Sequence, residues 1–293
     1  MSASPLIDLH AHTVCSDGSA TPSELVSLAE AAGAMALAIT DHDTVSGLAE
    51  GRAAASRSGI EFAGGIEISA DYQPGTMHVL GYCMDEQSPA LNRALEDLRM
   101  ARENRNPEIA KRLQELGLDV QYDDVARLAA GKVVGRPHFA RVLVERGYAR
   151  SIQDAFDRFL AKGQPAYVEK KRLSPRDSIN LIREADGVAV LAHPYQLKLD
   201  LADTDALVGE LAEMGLDGIE AIYSRHSEQE RKSYCEMAAR YNLLVTGGSD
   251  FHGTYKPDIS VVRGLGDLAV PYHLLAEVKH RAASRATAAD RRG

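Results

Sequence analysis

Leu6-Ile7-Asp8-Leu9-His10-Ala11-His12-Thr13-Val14-Cys15-Ser16-Asp17-Gly18 is an apolar run that ends in two histidines one residue apart and then in a small polar loop. In an extended chain the side chains alternate with period two, so His10 and His12 point to the same face. Such a pair can chelate one metal ion. Thr21-Pro22-x-Glu24 follows, an N-cap with proline at the first helical position and an acid in the first turn, and Gly33 supplies a stop. Strand, polar loop and helix together read as one βα unit.

The same alternation extends outward from this unit. Leu6 to His12, Met35 to Thr40, Glu61 to Ser69, Met77 to Tyr82, Val188 to Ala192, Gly218 to Tyr223 and Leu243 to Thr246 read as strands. Pro22 to Ala32, Val45 to Arg57, Pro175 to Glu184, Thr204 to Glu213, Glu228 to Arg240 and Tyr272 to Arg281 read as helices. Repeated βα units predict an α/β fold with a largely parallel sheet and helices outside it. From about Pro89 to Val168 the pattern is helical, at Leu91 to Glu115, Asp123 to Ala130, Pro137 to Arg146 and Ile152 to Leu160, with strand signal only at Ala166-Tyr167-Val168. The expectation is a (β/α) barrel at 1–88 and 169–280, a helical insertion acting as a lid at 89–168, and a flexible Ala/Arg-rich tail at 281–293.

Composition narrows the function classes. A length of 293 residues is ample for a buried core. Cys15, Cys83 and Cys235 are odd in number and far apart, so neither a disulfide framework nor a thiolate zinc knuckle is expected. With no basic leader and no apolar run near the roughly 20 residues of a membrane span, a cytoplasmic protein without membrane partner is expected. Lys and Arg number 33 against 42 Asp and Glu, a net charge of −9, which argues against long duplex nucleic acid. One anionic ligand remains compatible with that balance if metal ions reverse the local sign. No obligate protein partner is evident.

Ligand-type residues recur where predicted strands end: His10-x-His12 with Asp17, Thr40-Asp41-His42-Asp43, Gly65-Ile66-Glu67, His78-Val79-Leu80-Gly81, Ala192-His193-Pro194 and Ser249-Asp250-Phe251-His252. Barrel enzymes place their chemistry at that rim, drawn from several strands. Any one of these histidines alone reads as an ordinary core or loop residue. Six imidazoles with Asp17, Glu67 and Asp250 on one rim would be unsatisfied without cations, and nine candidate ligands are too many for one ion. Two or three divalent ions are expected, and nitrogen and oxygen ligands without cysteine suit Mn²⁺, Zn²⁺ or Fe²⁺.

Taken in order, these motifs resemble those of the PHP (polymerase and histidinol phosphatase) family, across the chain except for the insertion and tail. The resemblance implies a distorted (β/α)7 barrel. It also implies one ion at His10, His12 and Asp250, one at His78 and His193, Glu67 bridging them, and a third at Asp17, His42 and His252, with Mn²⁺ the first choice. Glu67, His193 and Asp250 would then carry catalysis through the metals. Within the family the chain is similar to stand-alone phosphoesterases with a helical insertion, which act on 3′,5′-nucleotide bisphosphates or trim short RNA from its 5′ end. The implied reaction is attack of a metal-held hydroxide on a phosphomonoester of a small nucleotide.

Substrate-holding candidates come from the residues themselves. Arg99, Arg102 and Arg105 share a helix face; Glu96 and Glu103 can serve Arg99 and Glu108 can serve Arg105, so Arg102 and then Arg105 are the phosphate candidates. Gly135-Arg136-Pro137-His138 reads as a helix N-terminus, where free N–H groups favour anions. Arg225, just after a predicted strand, can pair with a phosphate, and His226 beside it can donate a proton. Tyr122, Phe139, Phe156 and Phe159 read as core of the insertion. The alternatives are a 5′-to-3′ exonuclease on short oligonucleotides, a histidinol phosphatase, a non-catalytic metal or nucleotide sensor, and an amidohydrolase with a carbamylated lysine. The last lacks a lysine where Glu67 stands.

Overall fold

Tight capping sets where the helices begin. In the computed structural model, which describes residues 6–129 and 134–290, Thr21 caps α1 (Pro22–Ala31) by accepting the Glu24 N–H at 3.2 Å while the Glu24 carboxylate accepts the Thr21 N–H at 2.7 Å. Ser227 caps α9 (Glu228–Arg240) in the same reciprocal way, while Ser174 and Asp200 cap α7 (Pro175–Glu184) and α8 (Leu201–Glu213) by accepting the Asp177 and Asp203 N–H groups. With α2 (Leu48–Ser58) and α10 (His273–Asp290), these helices accompany eight strands: β1 (Leu6–Asp8), β2 (Ala34–Ile39), β3 (Glu61–Ala70), β4 (Met77–Tyr82), β5 (Val188–Leu191), β6 (Gly218–Tyr223), β7 (Leu244–Gly248) and β8 (Val270–Pro271).

The chain divides into two compact units, residues 1–93 with 172–293, and residues 94–171. In the first, the sheet order is β7-β6-β5-β4-β3-β2-β1-β8, and the chain beyond β1 closes it onto β7 through Leu9 N–H to Gly247 O at 3.2 Å. This is a nearly closed α/β barrel. Its interior is filled by Ile7, Leu9, Ala38, Leu80, Val190 and Val270, all fully buried.

The sheet is less uniformly parallel than the βα pattern predicts. β4 runs antiparallel to both β3 and β5, and the short β8 is antiparallel to β1. Residues 71–76 cannot house a crossover helix, so β3 and β4 must form a hairpin. The register pairs Ser69 with His78. His78 therefore lies near the start of its strand, not the end, and reaches the same rim because its strand is reversed.

Three further differences have local causes. β1 stops at Asp8, and the segment carrying His10 and His12 continues as loop bridged at Ala11 to Phe251. Ala166-Tyr167-Val168 forms no strand; Ala166 and Val168 pack instead into the second unit's core with Ile109, Leu113, Phe139, Leu143 and Leu160. Tyr122, Phe156 and Phe159 join that core, as their spacing predicts. The predicted tail is helical to Asp290, because alanine and arginine favour helix and because Arg281 and Arg285 reach Asp217 at 3.5 and 2.6 Å. No helix among the described residues is long and apolar enough to cross a membrane.

The unit 94–171 holds the rest of α3 (Pro89–Glu115), α4 (Tyr122–Ala129), α5 (Arg136–Glu145), α6 (Ile152–Ala155) and a π-helical turn at Phe156–Leu160. Ala130, the last residue of one expected helix, lies outside the described residues.

One glycine fixes how closely the barrel closes. A Cβ at Gly248 would lie 2.3 Å from His10 Cβ and 2.4 Å from His10 N. Gly248→Ala should therefore destabilise the chain by at least about 1–3 kcal/mol, the usual cost of overpacking. A denaturant midpoint equal to that of the wild type would contradict this.

Candidate metal centre

Two buried aspartates shape the loops before any ligand is placed. Asp8, at the end of β1, accepts the N–H groups of His10, Ser249 and Val262 at 3.2, 2.9 and 2.8 Å and the Ser249 hydroxyl at 2.6 Å. Asp41, after β2, accepts Thr13 N–H at 2.8 Å and the Thr13 and Ser16 hydroxyls at 2.6 and 2.5 Å, which fixes the loop bearing Asp17. These carboxylates lace loops together, whereas Glu67, Asp250 and Asp17 face the histidines.

Glu67 on β3 is the centre of the arrangement, with its side chain only 1% exposed. Its Oε1 lies 2.8 Å from His78 Nδ1 and 2.9 Å from His193 Nε2. Its Oε2 lies 3.2 Å from His12 Nε2 and His42 Nδ1 and 3.3 Å from His10 Nε2. Asp250 Oδ1 stands 3.6 Å from His10 Nε2 and 3.3 Å from His12 Nε2. Asp17 Oδ1 is 3.3 Å from His252 Nε2 and 3.6 Å from His12 Nδ1, and its Oδ2 is 3.7 Å from His42 Nε2. Neighbouring imidazoles form a chain from His193 through His10, His12 and His42 to His78, with centroids 4.7–5.5 Å apart, and His252 lies 4.1 Å from His12.

The electrostatics follow from this crowding. Burial is the largest influence on Glu67 and would raise its carboxyl, yet His42, His78 and His10 hold it well below the usual range. For His12, burial acts downward, but the neighbouring Asp250 and Glu67 carboxylates win and raise it to about 10. His10 is raised likewise, against burial, by Glu220 and Glu67. Burial pushes His42 down to about 3, with His12 and His78 adding to that shift against Glu67 and Asp17.

The donor set fits divalent cations. Nδ1 of His12, His42 and His193 and Oε2 of Glu67 are buried with no hydrogen-bond partner, a costly condition that ions relieve. A tetrahedral ion about 2.1 Å from its ligands spaces them by about 3.4 Å. His10 Nε2, His12 Nε2 and Glu67 Oε2 match that spacing, and Asp250 Oδ1 stands within 3.6 Å of both imidazole nitrogens. His10 with His12 and Glu67, His42 with Glu67 and His78, and Asp17 with His12, His42 and His252 each bring ligand atoms within 4.8 Å of one another.

All nine ligand-type residues expected from the sequence thus meet in one cluster. Three partners escaped the sequence reading. Glu220 on β6 is fully buried and holds His10 Nδ1 at 2.9 Å. Tyr223 and Lys256 donate to Asp250 Oδ2 at 2.7 and 2.6 Å. Glu220 carries the same signal as Glu67, a lone glutamate in an apolar strand; a lysine six residues beyond Asp250, past a turn, leaves no such mark.

The expected substrate-holding residues have other partners as well. Arg225, partly exposed, pairs with Asp258 at 2.6 Å. Its neighbour His226 is buried among Tyr195, Tyr223 and Tyr234, with Nδ1 3.0 Å from Ala221 O, and burial lowers its pKa. In the second unit, Arg105 is buried and donates to Asn106 at 3.2 Å, while Arg102 is half-buried on the same helix. Gly135 N–H, expected to face an anion, is donated to His138 Nδ1 at 3.1 Å. Arg136 lies 5.3 and 6.0 Å over the Tyr167 and Phe156 rings and donates to Leu160 O at 3.1 Å.

With the cluster on the page, likeness to known proteins becomes informative. The PHP domain profile matches residues 8–169. This chain belongs to the PHP domain family. A 3′,5′-nucleoside bisphosphate phosphatase of Chromobacterium violaceum is 35% identical over 84% of this chain and 87% of its own length. The 5′-3′ exoribonuclease Rnm of Escherichia coli is 36% identical over 84% of this chain and 85% of its own. A protein from Bifidobacterium adolescentis, assigned as a metal-dependent phosphoesterase, superposes with a TM-score of 0.78 at 31% identity, covering 95% and 97% of the two chains. The PHP chain described here is accordingly a metal-dependent phosphoesterase.

Ligand nitrogens must be deprotonated to bind a cation. Because His10 and His12 are raised without metal, the latter to about 10, ion uptake at pH 7 should release protons, and affinity should climb as pH rises toward 10. Calorimetry in buffers of different ionisation enthalpy reads the release directly. A binding heat independent of the buffer would contradict it.

Proposed function

We propose that this PHP enzyme is a phosphomonoesterase that removes one phosphate from a small nucleotide, a 3′,5′-nucleoside bisphosphate being the preferred substrate, with two or three divalent ions, Mn²⁺ first among them. The observation that carries the reading is the single cluster in which Glu67 faces His10, His12 and His42 with one oxygen and His78 and His193 with the other. The bisphosphate phosphatase of Chromobacterium violaceum, similar over nearly the whole chain, supports the substrate class.

Divalent ions in such a site supply Lewis-acid charge to a phosphoryl oxygen and make a water acidic near neutrality. His10, His12, Asp250 and Glu67 would hold one, and His78, His193 and Glu67 another. Asp17, His42 and His252 would hold a third. Tyr223 and Lys256 occupy Asp250 Oδ2 and so leave Oδ1 to the cluster. Full burial of His10, His12 and Glu67 keeps bulk water from competing for their lone pairs.

A second reading, trimming of short RNA from its 5′ end, is supported by the Escherichia coli relative. The net charge of −9 favours the small substrate over a polymer.

Two expected outcomes test the proposal. Elemental analysis should find two to three ions per active chain, and Glu67→Ala should lose activity by orders of magnitude while remaining folded; one ion or none in fully active protein would overturn the metal count. Bisphosphates should exceed monophosphates in kcat/KM, because remote binding energy is realised in the transition state. Activity on oligonucleotides that grows with their length would favour the exonuclease instead.

A further inference from the structure

Glu220 has no place in the ligand set above, yet it touches two of its members. It lies on β6 between Ile219 and Ala221, fully exposed to nothing but protein. Its two oxygens have separate duties. Oε1 lies 2.9 Å from His10 Nδ1, and Oε2 accepts the backbone N–H of His193 at 2.8 Å.

The first contact decides which nitrogen of His10 can serve a cation. A carboxylate beside Nδ1 accepts a hydrogen bond from the Nδ1–H group and keeps the proton there, so the lone pair of the metal-loaded form stands on Nε2. That is the atom 3.2 Å from His12 Nε2 and 3.3 Å from Glu67 Oε2. The opposite tautomer would present an N–H to the cluster.

The second contact secures an unusual backbone. His193 has φ 25 and ψ 68, in the left-handed region that non-glycine residues seldom occupy, and it precedes Pro194. Strain of this kind persists only where surrounding bonds hold it. The Glu220 carboxylate supplies one, and the ring so placed puts Nε2 2.9 Å from Glu67 Oε1.

We propose that Glu220 is a positioning residue that ties two ligand groups of the centre together, selecting the Nδ1–H form of His10 on one side and pinning the backbone of His193 on the other. The proposal rests on the reading of this cluster as a metal centre. Its chemistry predicts a specific failure for the isosteric amide. Both partners of Glu220 are donors, and a glutamine has one acceptor oxygen and one donor nitrogen. If the amide oxygen takes His193 N–H, the NH₂ faces His10 Nδ1 and favours the tautomer that hides the Nε2 lone pair.

The test titrates Mn²⁺ into metal-free wild type and metal-free Glu220→Gln, with thermal unfolding recorded on both. The variant should unfold cooperatively and bind Mn²⁺ about 10–100-fold more weakly, the usual effect of losing a partner behind a metal-bound histidine. A folded variant with the wild-type isotherm overturns the role of Glu220 and leaves the metal centre standing. A wild type that takes up no Mn²⁺ overturns both. Should the variant not fold, imidazole ¹⁵N spectra of the Zn²⁺-loaded wild type decide alone. His10 should carry a proton on Nδ1 and bind through Nε2; a proton on Nε2 overturns the proposal.

Discussion

A carboxylate cannot sit in the interior of an apolar barrel without positive partners, and Glu67 sits there with its side chain 1% exposed. Much of the first unit can be understood as the provision of those partners. Imidazoles come from the loops after β1 and β2, from the start of β4 and from the loop after β5, and all five reach Glu67 within 3.3 Å. No two adjacent strands could bring so many nitrogens to one side chain. A closed sheet can, because its rim is a ring and each loop enters from a different direction. Closure depends in turn on Gly248, whose missing Cβ lets β7 meet the chain at His10.

The parts of this arrangement that were legible in the sequence are those governed by local rules. Apolar runs ending in His10, His42, Glu67, His193 and Asp250 marked strand ends, and Thr21-Pro22-x-Glu24 marked a helix start. What stayed hidden depends on how elements are linked and on partners outside a residue's own strand or helix. The reversed direction of β4 follows from a six-residue link at 71–76, too short for a helix, although the run Met77–Tyr82 itself looks like any other strand. The helical end of the chain shows no apolar period, and its anchor, Asp217, lies 64 and 68 residues before Arg281 and Arg285. Lys256 reaches Asp250 only through the turn Gly253–Tyr255.

Two of the ligand-bearing residues, His193 and Asp250, have positive φ angles of 25 and 58. Such conformations cost about 1–3 kcal/mol each and need surrounding bonds to hold them. The bonds are present: His193 N–H is accepted by Glu220, and Asp250 N–H by His10 O at 2.8 Å. The loops that present ligands are therefore braced by groups that are not ligands. This separates two kinds of buried acid that look alike in the sequence. Asp8 and Asp41 spend their oxygens on loop N–H and hydroxyl groups, whereas Glu67 keeps Oε2 without a hydrogen-bond donor.

The three candidate ligand groups differ in how much water they meet, and that difference has chemical consequences. His10, His12 and Glu67 are fully buried, while the Asp17 side chain is 54% exposed and that of His42 is 19% exposed. Removing a cation from the inner group would leave an uncompensated carboxylate in a medium of low dielectric, a loss the protein can offset only by protonating histidines. Water can solvate Asp17 directly, so loss of a cation there leaves far less unbalanced charge. An ion held by the inner group would therefore be costlier to lose than one held at Asp17. Asp17, His42 and His78 are the members of the cluster that solvent already reaches.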